Sequence, residues 1–194
     1  RSHISYWSAA SELYKRQQLD KFSSEHRKRE WLAVRVLICN MIGEIKEISY
    51  EESGKPFLAD NSYQISISHT RGYVAVIISK NRRIGIDIEI LGERALKVAH
   101  KFVDDTELIY PETDKITRAE MLTMIWSAKE TMYKCMDSRE ILFREELHVD
   151  VNIPLFQQPY FPSYETHTDG KQNFKIYYIL QKGEYVLTYT VVNS

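Results

Sequence analysis

The residues best suited to chemistry lie in Ile84-Gly85-Ile86-Asp87-Ile88-Glu89. Strict alternation predicts a strand, with Ile84, Ile86 and Ile88 on one face and Gly85, Asp87 and Glu89 on the other. The isoleucine face belongs in a core. The opposite face carries two carboxylates two residues apart, beside a glycine that lets another segment approach the backbone. Neighbouring acids repel each other, so a site that holds both calls for a cation, and carboxylate oxygens suit a hard divalent one. A second charged group lies in Trp126-Ser127-Ala128-Lys129-Glu130-Thr131-Met132-Tyr133-Lys134. Glu130 and Lys134 are four apart and share a helix face, with Lys129 beside them. Charges flanked by Trp126 and Tyr133 in an apolar helix point to a cleft rather than to open solvent. His69, at a strand end, and Lys55, in a turn, are ordinary in isolation.

The elements that must position these groups follow from periodicity. Residues from about Tyr6 to Phe22 read as a helix, with Trp7, Ala10, Leu13 or Tyr14, and Gln17 at helical spacing and Lys15, Arg16 and Lys21 on its polar side. Ser23 or Ser24 caps a longer helix to Met41, stopped by Gly43 and opened by His26-Arg27-Lys28-Arg29, a cluster that reads as a solvated face. A short strand is expected over Glu44 to Tyr50, then turns at Ser53-Gly54-Lys55-Pro56 and Ala59-Asp60-Asn61. Tyr63 to Ser68 alternates as a strand and delivers His69-Thr70. Tyr73 to Ser79 is a buried strand, turning through Lys80-Asn81-Arg82-Arg83 into Ile84 to Glu89.

After Gly92 the pattern returns to helix. Ala95 to Phe102 is short and amphipathic, Asp104 to Glu107 caps another short helix, and Pro111 to Lys115 is a loop. A second long helix spans about Thr117 to Met136. Strands follow at Leu147–Val151, Phe174–Leu180 and Tyr185–Val192, with a polar, proline-containing loop from Pro154 to Gly170 between the first two. The plan of a helix and then a three-strand meander therefore occurs twice, which predicts an α+β fold of two lobes, residues 1–92 and 93–194, related by a pseudo-two-fold.

Composition narrows the partners. The 26 basic and 27 acidic residues of this 194-residue chain nearly cancel, so net charge does not suggest nucleic acid. No apolar run is long enough for a membrane span and no signal peptide is visible. Cys39 and Cys135 lack metal-ligand spacing and read as buried free thiols, consistent with a cytoplasmic protein.

In order along the chain, Gly54-Lys55-Pro56, Ser66-Ile67-Ser68-His69-Thr70, Ile84 to Glu89 and Trp126 to Lys134 resemble the 4′-phosphopantetheinyl transferases, and more narrowly their two-lobed Sfp-type group. That resemblance implies an enzyme, a holo-acyl-carrier-protein synthase. It would move the phosphopantetheine arm of coenzyme A to a serine of an apo acyl or peptidyl carrier protein, releasing adenosine 3′,5′-bisphosphate. It also implies that Asp87, Glu89 and Glu130 hold magnesium, or manganese in its place, at the cleft between the lobes. Lys55, Lys129, Lys134, Ser68 and His69 would contact the phosphates of coenzyme A. Lys15 and Arg16 are the candidates for its nucleotide end, Gln18 standing where the family often has a basic residue. Glu130 is the first choice for the base that accepts the serine proton and Glu89 the second, with Lys134 adding positive charge. Thr70 replaces the family's usual serine and keeps the hydroxyl. Phe102-Val103 stands where the family prefers two phenylalanines, and carrier selection is expected in Phe102 to Thr117. A monomer is expected, since two fused lobes build the cleft within one chain. Two other readings use the same residues: a metal-dependent coenzyme A pyrophosphatase with water as nucleophile, and a catalytically silent adaptor that binds carrier or coenzyme A.

Overall fold

The computed structural model describes residues 22–108, 116–136, 138, 140–151 and 157–192. The expected first helix, with Lys15 and Arg16, lies outside the described residues, as does the loop Pro111 to Lys115. Helix α1 (Glu25–Ile42) starts after Ser24 and ends at Gly43, whose φ of 87° is left-handed and whose N–H donates to Cys39 O at 2.8 Å. Its buried face is Val34 and Ile38, packed on a small core with Ile48, Leu58 and Ile65. Cys39, expected to be buried, is only half-buried, while Cys135 is buried.

Two antiparallel pairs follow: β1 (Ile48–Tyr50) with β2 (Pro56–Leu58), and β3 (Gln64–Thr70) with β4 (Tyr73–Ser79). The strand expected from Glu44 forms only over its last three residues, and β2 was not expected. Strand β5 (Arg83–Ile90) turns away from the meander by its backbone pairing. It is the edge of a five-stranded antiparallel sheet and pairs with the last strand, β9 (Tyr185–Val192). Behind β9 come β8 (Asn173–Gln181), β7 (Tyr160–Glu165) and β6 (Leu147–Val149). β7 occupies part of the segment expected to be a loop. Pro162 hid it, yet a proline is tolerated beside the three-residue strand β6, where its carbonyl still accepts from Asp150 N at 2.8 Å.

Between β5 and β6 lie a short helix α2 (Arg94–Val98), 3₁₀ turns at Ala99–Lys101 and Asp105–Leu108, helix α3 (Arg118–Cys135) and the one-turn helix α4 (Phe143–Glu146). A capping box starts α3: Glu120 N donates to Thr117 Oγ1 at 3.2 Å and Thr117 N donates to Glu120 Oε2 at 2.8 Å. Met121, Leu122, Met124, Ile125, Ala128 and Met132 of α3 are buried in the main core against the five-stranded sheet. The architecture is α+β with antiparallel sheets. Among the described residues, no helix is long and apolar enough to cross a membrane.

Candidate active site

Strand β5 and helix α3 bring the charged motifs together. Gly85 is what allows the approach: a Cβ there would collide with the Thr131 carbonyl of α3. Beside it, Ser127, Thr131 and Thr188 interlock through buried hydroxyls, with Oγ–Oγ1 and Oγ1–Oγ1 separations of 2.8 and 2.7 Å. These small residues let α3 lie close on the sheet. The face bearing Asp87 is therefore buried under α3, and the isoleucine face is buried against Tyr73, Ala75 and Ile77 of β4.

The other edge of β5 is satisfied by side chains. Ile86 N and Ile88 N donate to Ser66 Oγ and Ser68 Oγ of β3, each at 3.2 Å. Ser68 passes its own proton to Asp87 Oδ1 at 2.8 Å, and Lys134 Nζ donates to the same oxygen at 2.7 Å. Asp87 Oδ2 is buried and accepts no hydrogen bond from the described residues. A carboxylate oxygen in that condition has lost water without a replacement, which is costly unless a cation supplies it. Glu89 is held by Trp126 Nε1 at 3.0 Å. Burial and then the Asp87 charge raise its carboxyl above the ordinary range. The same two causes, in the same order, push Glu130 up to about 7. The three acids thus share one electrostatic environment, with Lys134 as its nearby cation.

That donor set suits a hard divalent ion, which would take the orphaned Asp87 oxygen and offset the repulsion felt by Glu89 and Glu130. As the side chains stand, no three His, Cys, Asp or Glu among the described residues close around one point.

The other expected residues divide. His69 is exposed at the end of β3, its Nε2 3.5 Å from Arg27 NH1 and its Nδ1 3.6 Å from Glu30 Oε1. Arg27 therefore bridges α1 and the end of β3, a contact its basic cluster alone did not reveal. Ser68 is buried on Asp87, where it orients the acid. Lys55 is half-buried in a groove described below. The expectation for Lys129 is corrected. It is fully buried, and its ammonium donates to Phe102 O at 2.6 Å, Glu107 Oε2 at 2.7 Å and Phe143 O at 3.0 Å. Three donors on three acceptors leave none for phosphate. Trp126 was noted only as a neighbour, and its indole proves to hold Glu89.

Two grooves flank the acids. One, of about 530 Å³, lies at the Ile84 and Cys135 end and is lined by Lys55, Tyr63, Arg82 and Arg83 among others. The second, of about 640 Å³, lies at the Glu89 and Glu130 end, with Phe102, Trp126, Leu142 and Phe143 in its walls.

Residues 83–190, which include Asp87, Glu89, Glu130 and Lys134, match the 4′-phosphopantetheinyl transferase superfamily. The chain belongs to this family. Among its relatives is the 4′-phosphopantetheinyl transferase AcpT of Escherichia coli K12, 29% identical over 114 residues, which cover 56% of this chain and 57% of that one. AcpT of Salmonella typhi is 35% identical over 69 residues, 35% of this chain and 36% of its own. The 4′-phosphopantetheinyl transferase gsp of Aneurinibacillus migulanus is 33% identical over 86 residues, 44% of this chain and 35% of its own. The chain thus spans about half the length, or less, of the curated relatives it matches. The family match takes in both carriers of acidic residues, β5 and α3, while Lys55, Ser68 and His69 lie N-terminal to it.

Proposed function

We propose that this chain transfers the 4′-phosphopantetheine arm of coenzyme A to a serine of an apo acyl or peptidyl carrier protein. The observation that carries the reading is Asp87. One of its oxygens is fixed by Ser68 and Lys134, and the other is buried without a partner beside Glu89 and Glu130. In a family of phosphopantetheinyl transferases, that arrangement supports a pyrophosphate and its counter-ion at this point.

Magnesium, or manganese, would be held by Asp87, Glu89 and Glu130, and when bound it supplies positive charge to the pyrophosphate oxygens. The chain's own groups do the rest. Lys134, kept beside Asp87, adds charge where the leaving phosphate gains it. The carrier serine oxygen forms a bond to the phosphorus on the pantetheine side. The bond from that phosphorus to the bridging oxygen breaks, and the electron pair leaves with adenosine 3′,5′-bisphosphate. The serine proton goes to Glu130, an ionised carboxylate once a cation offsets the charges of Asp87 and Glu89. Glu89 is the weaker choice because Trp126 already occupies one of its oxygens. The division into lobes 1–92 and 93–194, a monomeric state and a cytoplasmic setting belong to the same reading.

Intact mass of an apo acyl carrier protein, incubated with this protein, coenzyme A and magnesium, tests it. A gain of one phosphopantetheine arm, lost with chelator, is expected. Release of adenosine bisphosphate without carrier modification would instead mean a pyrophosphatase, and binding without either product an adaptor.

The metal assignment has a separate readout. In metal-free protein the Glu130 carboxyl is expected to titrate with a midpoint of about 7 by carbon NMR. A cation favours the ionised form, so magnesium should move the midpoint down. A midpoint that ignores magnesium would remove Glu130 from the metal set.

A further inference from the structure

The basic cluster that opens α1 has no role in the chemistry described above, and one acid stands among its cations. Glu30, Val34 and Ile38 form one row of α1 at intervals of four residues. Ile65, Ile67 and His69 alternate along the face of β3 opposite Ser66 and Ser68, the two serines that meet β5. Val34, Ile38, Ile65 and Ile67 share the small core, so Glu30 and His69 meet where that seam reaches the surface. The Glu30 side chain is only 11% exposed. Its Oε1 lies 2.9 Å from His26 Nε2 and 3.6 Å from His69 Nδ1. Its Oε2, 3.8 Å from Arg27 NH1, is buried and accepts no hydrogen bond from the described residues.

Drying a carboxylate in this way is costly, and an apolar side chain would serve the packing of the row at least as well. What the carboxylate supplies is an oriented imidazole. It can only accept, so Nδ1, which faces it, carries a proton. Nε2 faces Arg27 NH1 at 3.5 Å, and a guanidinium can only donate, so Nε2 keeps its lone pair in the free protein. Ser68, the residue before His69, is bonded to Asp87, so the ring held by Glu30 stands one residue from the acidic centre.

We infer that Glu30 is the positioning residue of His69. It fixes the ring through Nδ1, so that Nε2 is the atom offered to a phosphate of coenzyme A, and its charge supports the second proton such a contact needs. The inference rests on the coenzyme A reading above. A phosphate oxygen can only accept, so Nε2 must take a proton from solvent as the phosphate arrives and then donate it in a hydrogen bond. The charged and titratable groups around the ring are Glu30, Arg27 and His26 from α1 and Arg71 from the exposed β3–β4 turn. Glu30 is the acid among them, so it is the group that favours a positive ring. A carboxylate that did not act through the ring would only repel phosphate, and its removal would then tighten binding.

The test is the carrier-modification rate against coenzyme A concentration for the full chain, E30A, H69A and E30A/H69A. E30A should raise KM for coenzyme A about tenfold with kcat within about twofold, and E30Q, which keeps an acceptor, should recover part of the loss. In the H69A background E30A should change KM by less than about twofold, because the ring it acts through is gone. Nitrogen NMR of the His69 ring gives a readout that a folding defect alone would not move. The free full chain should show the Nδ1–H tautomer, and coenzyme A should add the Nε2 proton; in free E30A the Nε2–H tautomer should appear. Effects of E30A and H69A on KM that multiply, or tighter coenzyme A binding by E30A, overturn the inference and leave the transferase standing. A full chain that modifies no carrier removes the transferase instead, and calorimetric binding of coenzyme A to the same four proteins then decides the role of Glu30 by the same cycle. A full chain that does not bind coenzyme A removes both.

Discussion

Asp87→Ala should abolish carrier modification, lowering the rate by about a thousandfold or more, while the protein stays folded. The size follows from how many roles converge on one carboxylate. Its Oδ1 fixes Lys134 and receives Ser68, and its Oδ2 is the buried oxygen a cation would take. Removal leaves Lys134 without its partner and the proposed metal without its most buried ligand. The fold should survive because Asp87 also repels Glu89 and Glu130, and its loss relieves both. The mass assay reads the rate, titration with magnesium reads metal binding, and circular dichroism checks folding. Activity within tenfold of the parent, with magnesium as the only divalent ion, would sink the role given to Asp87.

The second large effect is on stability. Lys129→Met removes a buried cation from Glu107, whose oxygens also accept from Asp104 N and Val149 N, both at 2.8 Å. Burial lowers the lysine's affinity for its proton, and the Glu107 charge opposes that. Breaking a buried pair from one side strands the other charge, a loss on the order of 3–5 kcal/mol. The Phe102 and Phe143 carbonyls lose their donor as well. Both residues wall the apolar groove and pack on Trp126, at centroid distances of 5.1 and 5.5 Å, so the damage should extend to the indole that holds Glu89. Urea unfolding gives the stability, and adding Glu107→Gln should recover part of it. A loss below about 1 kcal/mol would mean that the pair behaves as if it were on the surface.

Local patterns carried much of the architecture. The buried run from Tyr73 to Ser79 and the strand expected over Tyr185 to Val192 match β4 and β9 to the residue, and Gly43 and Thr117 mark the ends of the long helices. What local pattern could not say was which strand β5 would choose, because its partner lies at the far end of the chain. Nor could it find β7, where Pro162 breaks the usual signal. Within the site, Lys134 of α3 meets Asp87 of β5, and Glu89 and Glu130 lie close enough to feel the Asp87 charge. Lys129 could have been placed better: consecutive helical residues point about 100° apart, so it cannot share the face of Glu130 and Lys134. The hydroxyls of Ser66 and Ser68 had no signal beyond strand alternation, since their role depends on β3 lying beside β5.

The pairing of β5 with β9 has a consequence for how the protein is made. Gly85 and Thr190 lie opposite each other across the sheet, yet they are roughly a hundred residues apart in the chain. During synthesis Asp87 and Glu89 emerge before β9, and their strand must wait for it before its backbone ladder can close. Until then its unpaired edge is open to other chains, a natural hold-point for chaperones. The acidic centre therefore closes only after roughly a hundred further residues have been made, so the emergence of its acids and their readiness to act are separate events.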